Sequence, residues 1–134
     1  QMCIRDRAWA VAKKSKLDLT KTFKGIAVSS GNSFVHETES QVILNGSYNI
    51  NFTMDLVEKD VGLFNQLAKK LETNLEISPL VLDIFKDAKK KYGSRAWSSM
   101  VVKRFEDKLG INFRASNFPE ELIDDEKEEK GYEI

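Results

Sequence analysis

The 134-residue chain is poor in the residues on which several classes of protein depend, with one cysteine, one histidine and two prolines. A single cysteine excludes an internal disulfide framework, and with a single histidine it excludes the ligand spacing of a zinc finger. No stretch approaches the roughly 18 consecutive apolar residues that a membrane-spanning helix needs. Basic and acidic residues balance at 21 each, which argues against a nucleic-acid-binding protein that neutralises phosphates. We therefore expect no membrane and no nucleic-acid partner, no metal site, and, since no signal-peptide pattern is visible, a cytoplasmic protein.

The remaining composition is that of one globular domain, with 41% hydrophobic and 31% charged residues. This length is sufficient to bury a working core without metal or disulfide support. Charge is unevenly distributed, because residues 120–134 contain eight acidic residues against two lysines. Segments that are acidic and poor in apolar residues bury too little surface to offset the entropy of ordering. We therefore predict an acidic, mobile tail over residues 119–134.

The chain opens Gln-Met-Cys-Ile-Arg-Asp-Arg, with no methionine at position 1. Residues 1–7 resemble a translated sequencing adapter, which is excluded from reasoning about a fold. The alternative is a genuine first helical turn, since Met, Ile and Arg are acceptable helix formers. On the first interpretation the native sequence starts near Ala8, and we expect the chain to be the C-terminal piece of a longer protein.

Glycines at 31, 46, 93 and 110 separate segments that favour helices. Possible N-caps are Asp18 for the second helix, Asn32 or Ser33 for the third, and Asn51 for the fourth. A first helix around Trp9 ends in the lysine run at 13–16, and the next five are predicted at 19–29, 34–44, 52–73, 78–92 and 95–109. The sequence therefore predicts an all-α domain of five or six helices, one of them long, spanning residues 8–118.

The predicted long helix carries an apolar stripe that is interrupted by charge. At 100° per residue, one side of the helix collects Phe52, Leu56, Leu63 and Leu67. Lys59 falls inside this stripe and Asp60 at its edge, and such departures from a local rule are expected at functional sites. A buried cation needs an anion or hydrogen-bond acceptors, so a ligand group is the natural candidate. The alternative is that Lys59 lays its alkyl stem on apolar surface and keeps its ammonium in water.

Residues 52–64, with Lys59-Asp60 at their centre, resemble the Phe-x6-Lys-Asp-Leu-x-Leu signature in the C-terminal domain of the 3-hydroxyisobutyrate dehydrogenase family. These β-hydroxyacid dehydrogenases are related to 6-phosphogluconate dehydrogenase. Four more segments resemble the family in order and spacing: 8–18, 28–33, 77–80 and 92–104. Ala96 departs from the family pattern, because many relatives carry an aspartate before the aromatic-serine pair. With this difference, the resemblance does not identify the substrate.

The resemblance implies an all-α domain that closes the active site of an NAD- or NADP-dependent oxidoreductase. Hydride would pass between the nicotinamide and a β-hydroxyacid or small semialdehyde. Carried over by position, Lys59 would contact the dinucleotide near its nicotinamide end, and Phe52 and Asp60 would line the substrate cleft. The family's catalytic lysine, in a Gly-x-x-x-Lys-x-x-Asn motif, and its Rossmann domain would both lie upstream of Ala8. The chain then holds no catalytic residue, and we expect it to be inactive alone.

Two alternatives remain open at this stage: a stand-alone helical interaction or dimerisation module, and a related reductase that acts on imines. The resemblance also implies a homodimer or tetramer. We expect the long helix to carry more apolar surface than the other helices cover, since Val57, Val61 and Leu71 point away from Lys59. His36, the single imidazole, has no matching catalytic partner in the sequence, and we expect it at the surface.

Overall fold

The computed structural model describes residues 2–122 and residue 131, without the side chains of residues 2 and 3. In this part of the chain the regular structure is helical, as predicted. Six α-helices are joined by short connections, and a 3-10 helix at Ser98–Val102 leads directly into the last of them. The α-helices are α1 (Met2–Lys14), α2 (Leu19–Ala27), α3 (Phe34–Asn45), α4 (Met54–Lys70), α5 (Ser78–Tyr92) and α6 (Lys103–Leu109). None of the described helices is long and apolar enough to cross a membrane.

Local capping chemistry sets the ends of the early helices where the sequence predicts them. The Asp18 carboxylate accepts the Lys21 backbone N–H at 2.8 Å and opens α2. The Ser33 hydroxyl accepts the His36 backbone N–H at 3.0 Å and opens α3, which ends at Gly46 in the left-handed conformation. Side-chain oxygens at N-caps satisfy backbone donors that have no partner within the helix. Asn51, however, is not the cap of α4, because that position belongs to Thr53.

The start of α4 is held by a distant segment instead of a capping side chain. The backbone N–H groups of Met54 and Asp55 donate to the carbonyls of Ala96 and Ser94, at 2.9 and 3.1 Å. These contacts keep residues 94–97 non-helical, and the Ser98 N–H donates back to the Phe52 carbonyl at 2.8 Å. The prediction of one helix over 95–109 is therefore wrong in its first part, which is a turn and an isolated bridge at Trp97 followed by the 3-10 helix.

The core brings together side chains from all six helices and from the segment after α6. Trp9 of α1, Phe85 of α5 and Phe113 are the largest side chains with essentially no exposed surface. Burial of a side chain of this size stabilises the fold by about 1.5–3 kcal/mol relative to exposure. The chain after Phe113 runs along the end of α3, where the Ala115 N–H donates to the Leu44 carbonyl at 3.0 Å. The C-terminal segment is thus part of the core.

The predicted acidic tail begins within the described residues. The hydroxyl of Ser47 donates to the Glu120 carbonyl at 2.5 Å, and Asn49 and Glu121 form an isolated parallel bridge. Backbone contacts therefore hold residues 120 and 121 against the loop. The rest of the predicted tail, residues 123–130 and 132–134, lies outside the described residues, so its predicted mobility stays a prediction.

His36 is buried, so the expectation of a surface histidine is wrong. The imidazole ring stacks on the Phe23 ring with 4.8 Å between the ring centroids and on the Trp9 ring with 5.9 Å between them. The Nε2–H donates to the Phe23 carbonyl at 3.0 Å, which leaves Nδ1 to accept from the Ser40 hydroxyl at 3.3 Å. Burial lowers the pKa of His36 below its usual range. The residue therefore serves the core as a neutral ring with both nitrogens satisfied.

Candidate cofactor-contact face

Helix α4 packs on the core through the side opposite Lys59. Met54 and Val57 are buried, and Val61 packs against the core cluster. The predicted stripe lies on the other side, where Leu63 is 56% exposed and Leu67 is similarly exposed. We call this surface the α4 apolar face; its members are Leu56, Leu63 and Leu67, and Phe52 precedes it in the chain. The predicted excess of apolar surface on α4 is present, but Val57 and Val61 are not the part left uncovered.

Lys59 and Asp60 come together at the border of the α4 apolar face. The Lys59 ammonium lies 3.1 Å from an Asp60 carboxylate oxygen, and the two side chains are 59% and 54% exposed. The interpretation of Lys59 as a buried cation without a fixed partner is therefore wrong. The reason is that its face of α4 does not pack on the described part of the chain. Both groups are instead presented outwards, where an ion pair between exposed side chains contributes little to stability.

Phe52 lies nearly two helical turns before Lys59, just ahead of the start of α4. Its backbone is fixed because the Phe52 carbonyl accepts the Ser98 N–H, and its ring stays partly exposed. Phe52 precedes Met54, the first residue of α4, so the helical repeat does not define its direction relative to Lys59. The structure brings Lys59 and Asp60 into contact and leaves all three predicted site residues exposed.

Lys59 also borders an open groove of about 580 Å³ between α4 and α5. Gly62 lines the groove one turn after Lys59, and a side chain at this glycine would meet no atom within 4 Å. The groove is rich in cations: Lys59, Lys69, Lys86 and Lys89. Its two acids are already paired, Glu58 with Lys89 and Asp55 with Arg95. Lys59 and Lys86 are also paired with acids, Asp60 at 3.1 Å and Asp83 at 3.8 Å, so the surface around Lys59 is open and most of its charges are paired.

Asp55 anchors the end of α4 that carries this surface. Its carboxylate accepts hydrogen bonds from the Thr53 hydroxyl and from the Leu56 backbone N–H, the latter at 3.0 Å. The hydroxyl of Thr53 and, after it, the guanidinium of Arg95 hold the pKa of Asp55 below its usual range. The position of Lys59 is therefore tied to the start of a well-fixed helix.

Sequence reasoning missed the groove residues that accompany Lys59. Gly62 and Gln66 follow it by three and seven residues, which is the helical spacing that places side chains on one face. Lys86 and Lys89 come from α5 and meet this face through tertiary packing. The first pair was visible in the periodicity of the long helix, whereas the second required the antiparallel packing of α4 and α5.

The face combines an exposed ammonium with apolar side chains and the open surface at Gly62. Such a surface can contact a ligand that carries both an anionic group and flat apolar rings. Within the described residues, no group of three or more histidine, cysteine or carboxylate side chains is placed to hold a metal ion. The face itself offers a cation and apolar contacts, which can bind and orient a ligand.

Comparison with known proteins points to the same class of ligand. A family model described as the NAD-binding domain of NADP-dependent 3-hydroxyisobutyrate dehydrogenase matches residues 1–105. L-threonate dehydrogenase of Haemophilus influenzae is 28% identical over 98 residues, which cover 73% of this chain and 33% of that protein. L-threonate dehydrogenase of Escherichia coli K12 is 26% identical over 98 residues, covering 73% of this chain and 32% of that protein.

A solved structure shares the arrangement of helices. The crystal structure of 3-hydroxyisobutyrate dehydrogenase from Salmonella typhimurium superposes with a TM-score of 0.71 at 25% sequence identity. The match covers 77% of this chain and 36% of that one. The chain therefore spans about a third of the length of the relatives that it matches.

Proposed function

The chain belongs to the NAD-binding domain family of NADP-dependent 3-hydroxyisobutyrate dehydrogenases, and from this premise we propose that it is the helical part of an NAD- or NADP-dependent oxidoreductase. The proposed reaction is hydride transfer between the nicotinamide and a β-hydroxyacid or a small semialdehyde. The observation that carries the proposal is the exposed Lys59 ammonium at the border of the uncovered α4 apolar face.

In this proposal the α4 apolar face meets a Rossmann domain that precedes Ala8 in the complete protein. An uncovered apolar surface of several large side chains is typical of an interface. Covering it would bring a bound dinucleotide against α4 and remove water from around Lys59, which strengthens the attraction between its ammonium and an anionic group. The family resemblance also implies that the complete protein is a homodimer or tetramer and lies in the cytoplasm.

Lys59 binds the nicotinamide end of the dinucleotide. The nicotinamide ring, when bound, gives or accepts the hydride. The ammonium offers three donors and a compact charge. Asp60, 3.1 Å away, orients the ammonium, and Phe52 supplies a flat apolar wall before the start of α4. We expect no proton-transfer residue on this face, since the catalytic lysine belongs upstream, and the 134-residue chain is expected to be inactive by itself.

The test is the affinity of the complete protein for NAD⁺ and NADP⁺, measured by isothermal titration calorimetry. A hydrogen bond to a charged group contributes about 1.5–3 kcal/mol, so we expect Lys59→Ala to weaken binding about ten- to a hundredfold. Lys70→Ala is the matched control, because it removes another exposed lysine of α4, one that does not line the groove beside Lys59. Unchanged affinity in Lys59→Ala, or an equal loss in both variants, contradicts the assignment.

A stand-alone interaction module would use the same exposed apolar face differently. In that case Lys59→Ala changes stability or the affinity for a partner protein, and dinucleotide affinity is not affected. The same titration, combined with a thermal unfolding curve for each variant, distinguishes the two functions.

A further inference from the structure

A basic groove of about 550 Å³ lies between α1 and α6. Three cations line it, Arg7, Lys14 and Lys108, and no acid lines it among the described residues. A smaller cleft of about 280 Å³ shares Arg7 and Lys108 with this groove and adds Arg104, again without an acid in the described part of the chain. Lys14 and Lys108 lie outside residues 1–7, so the positive charge of the groove does not depend on the adapter-like segment.

Two cations of the basic groove have no acidic partner within the described residues. Lys14 and Lys108 are both exposed, and neither belongs to an ion pair there. The Lys14 ammonium donates to the Leu109 carbonyl at 3.4 Å, whereas Arg104 is paired with Asp87 at 2.8 Å. The groove therefore presents two charges that the described part of the chain does not neutralise.

Apolar side chains form the floor between these cations. Val11 is 66% exposed, and Ala10, Phe105 and Leu109 line the same groove. Leu80 is also exposed and lines the adjoining cleft. Exposed apolar surface with unpaired charges of one sign at its rim fits a partner that carries the opposite charge and a few apolar residues.

We propose that the basic groove binds the chain's own acidic segment, residues 123–129. This segment has five acids against one lysine, and Ile123 precedes the acids. A segment of this composition buries too little apolar surface by itself to offset the entropy of ordering, and the groove supplies the cations and the apolar surface that the segment lacks. Because both parts belong to one chain, their effective concentration is high and a weak contact is sufficient.

The chain leaves the described core on the far side of α6 from the groove. Residues 120 and 121 are held at the 45–49 loop by the hydrogen bond and the bridge described above. The ring of Tyr48 in this loop has the Lys103 ammonium 5.6 Å from its centre. Lys103 and Phe105 are two positions apart in α6 and so point to nearly opposite sides of it. Helix α6 therefore lies between the loop and the basic groove.

The acidic segment is long enough to pass around α6. A helix with its side chains is about 10–12 Å across, whereas seven residues in an extended conformation span up to about 25 Å. Gly131 is exposed, so the proposed contact is made by residues that precede it. Residues 123–129 can therefore reach the basic groove from residue 122.

This contact is separate from the proposed dinucleotide contact. Phe52, Lys59 and Asp60 line neither the basic groove nor its adjoining cleft. Binding of the acidic segment requires neither the upstream domain nor a cofactor. Failure of this proposal would leave the assignment of Lys59 standing, and the reverse also holds.

The contact is tested by paramagnetic relaxation in the 134-residue chain. Cys3, the single cysteine, is replaced by serine, and Lys127→Cys within the acidic segment carries a nitroxide spin label. We expect the label to broaden the backbone amide resonances of Val11 and Lys108. Broadening that is absent from these amides, or that is stronger at the lysine run 89–91 than in the groove, overturns the proposal.

Charge-reversal variants test whether the groove lysines attract the segment. Single exposed pairs contribute little, so two lysines are reversed together, and we expect Lys14→Glu with Lys108→Glu to lower the ratio of bound to free segment about tenfold. Lys21→Glu with Lys24→Glu is the matched control, because it makes the same change of charge at two exposed lysines of α2 that do not line the groove. Equal effects of the two pairs on the broadening overturn the proposal.

The complementary change is made in the acidic segment, which leaves the groove itself unaltered. Glu128→Lys with Glu129→Lys is expected to lower the ratio of bound to free segment by a similar factor. Combined with the reversed groove lysines, this pair restores opposite charges, and we expect most of the broadening to return. A combined variant with less broadening than either pair alone overturns the proposal.

A mixed sample distinguishes contact within one chain from contact with a second copy. Spin-labelled chain at natural isotope abundance is mixed with unlabelled chain that is isotopically enriched, so only contacts between molecules are detected. We expect no broadening at Val11 or Lys108 in this sample. Broadening as strong as in the labelled chain itself would show that the groove takes the segment of another molecule, and it would overturn the proposal.

Discussion

Glu106→Ala is expected to remove the acceptor that holds the C-terminal segment to the core. Glu106 is buried on α6. Its carboxylate accepts the Phe113 backbone N–H at 2.7 Å, the Tyr48 hydroxyl at 2.5 Å and the Arg114 guanidinium at 3.0 Å. Burial and the bond to Glu106 raise the pKa of Tyr48 above its usual range, so its hydroxyl stays protonated and donates.

The magnitude follows from the donors that the substitution leaves behind. A buried donor without an acceptor costs about 1–3 kcal/mol, and two such donors, the Phe113 N–H and the Tyr48 hydroxyl, remain. The Arg114 side chain is about a third exposed and keeps access to water, so its loss adds little. We therefore expect the free energy of unfolding to fall by about 2–6 kcal/mol, a large part of the total for a domain of this size.

The assay is urea unfolding at pH 7, followed by circular dichroism and analysed as a two-state transition. Asp107→Ala is the matched control, because Asp107 is the next residue of the same helix and pairs with Lys91 at 2.7 Å on the surface. We expect the control to lose far less stability. A loss in Glu106→Ala below about 1 kcal/mol, or one equal to that of Asp107→Ala, would refute the reasoning.

Two further predictions concern backbone and charge. Gly46→Ala is expected to lower the free energy of unfolding by about 1–3 kcal/mol, because Gly46 has φ +102° and a Cβ there would overlap the Arg114 side chain. Gly62→Ala, in open space within α4, is expected to raise the free energy of unfolding by about 0.5–1 kcal/mol. A thermal unfolding experiment in which both variants shift in the same direction would contradict this pair of predictions. Burial raises the pKa of Asp6 to about 6 from 3.8, so the folded state loses stability as pH rises through this interval. Asp6→Ala is then expected to be more stable than the parent at pH 7 by about 1–3 kcal/mol and to lose that advantage near pH 4. A difference in stability that does not change with pH would contradict the raised pKa of Asp6.

Much of the helical pattern could be predicted from the sequence because its signals are local. Asp18 and Ser33 act within three residues of their own positions, and the glycine at 46 stops α3 through its own backbone conformation. The start of the last helix could not be predicted in this way. Its backbone is diverted by bonds to Met54 and Asp55, about forty residues earlier in the chain.

The candidate site was predictable in its residues but not in its surroundings. The spacing of Lys59 and Asp60 placed them together on a helix, and the structure pairs them there, whereas Phe52 precedes the first helical residue. Helix α4 is apolar on two sides, and periodicity alone does not tell which side packs on the core. Burial of His36 had the same cause, since the rings of Trp9 and Phe23 that enclose it come from two other helices.

The measurement that tests the central claim most directly is the DNA sequence upstream of the codon for Ala8, read from the original source without adapter. The account predicts a reading frame that encodes a strand followed by Gly-x-Gly-x-x-Gly and, later, Gly-x-x-x-Lys-x-x-Asn, because the first motif binds the pyrophosphate of a dinucleotide. The second would supply the catalytic lysine expected upstream of the helical domain. A start codon immediately before Ala8, with neither motif upstream, would contradict the assignment of this chain to a hydride-transferring enzyme.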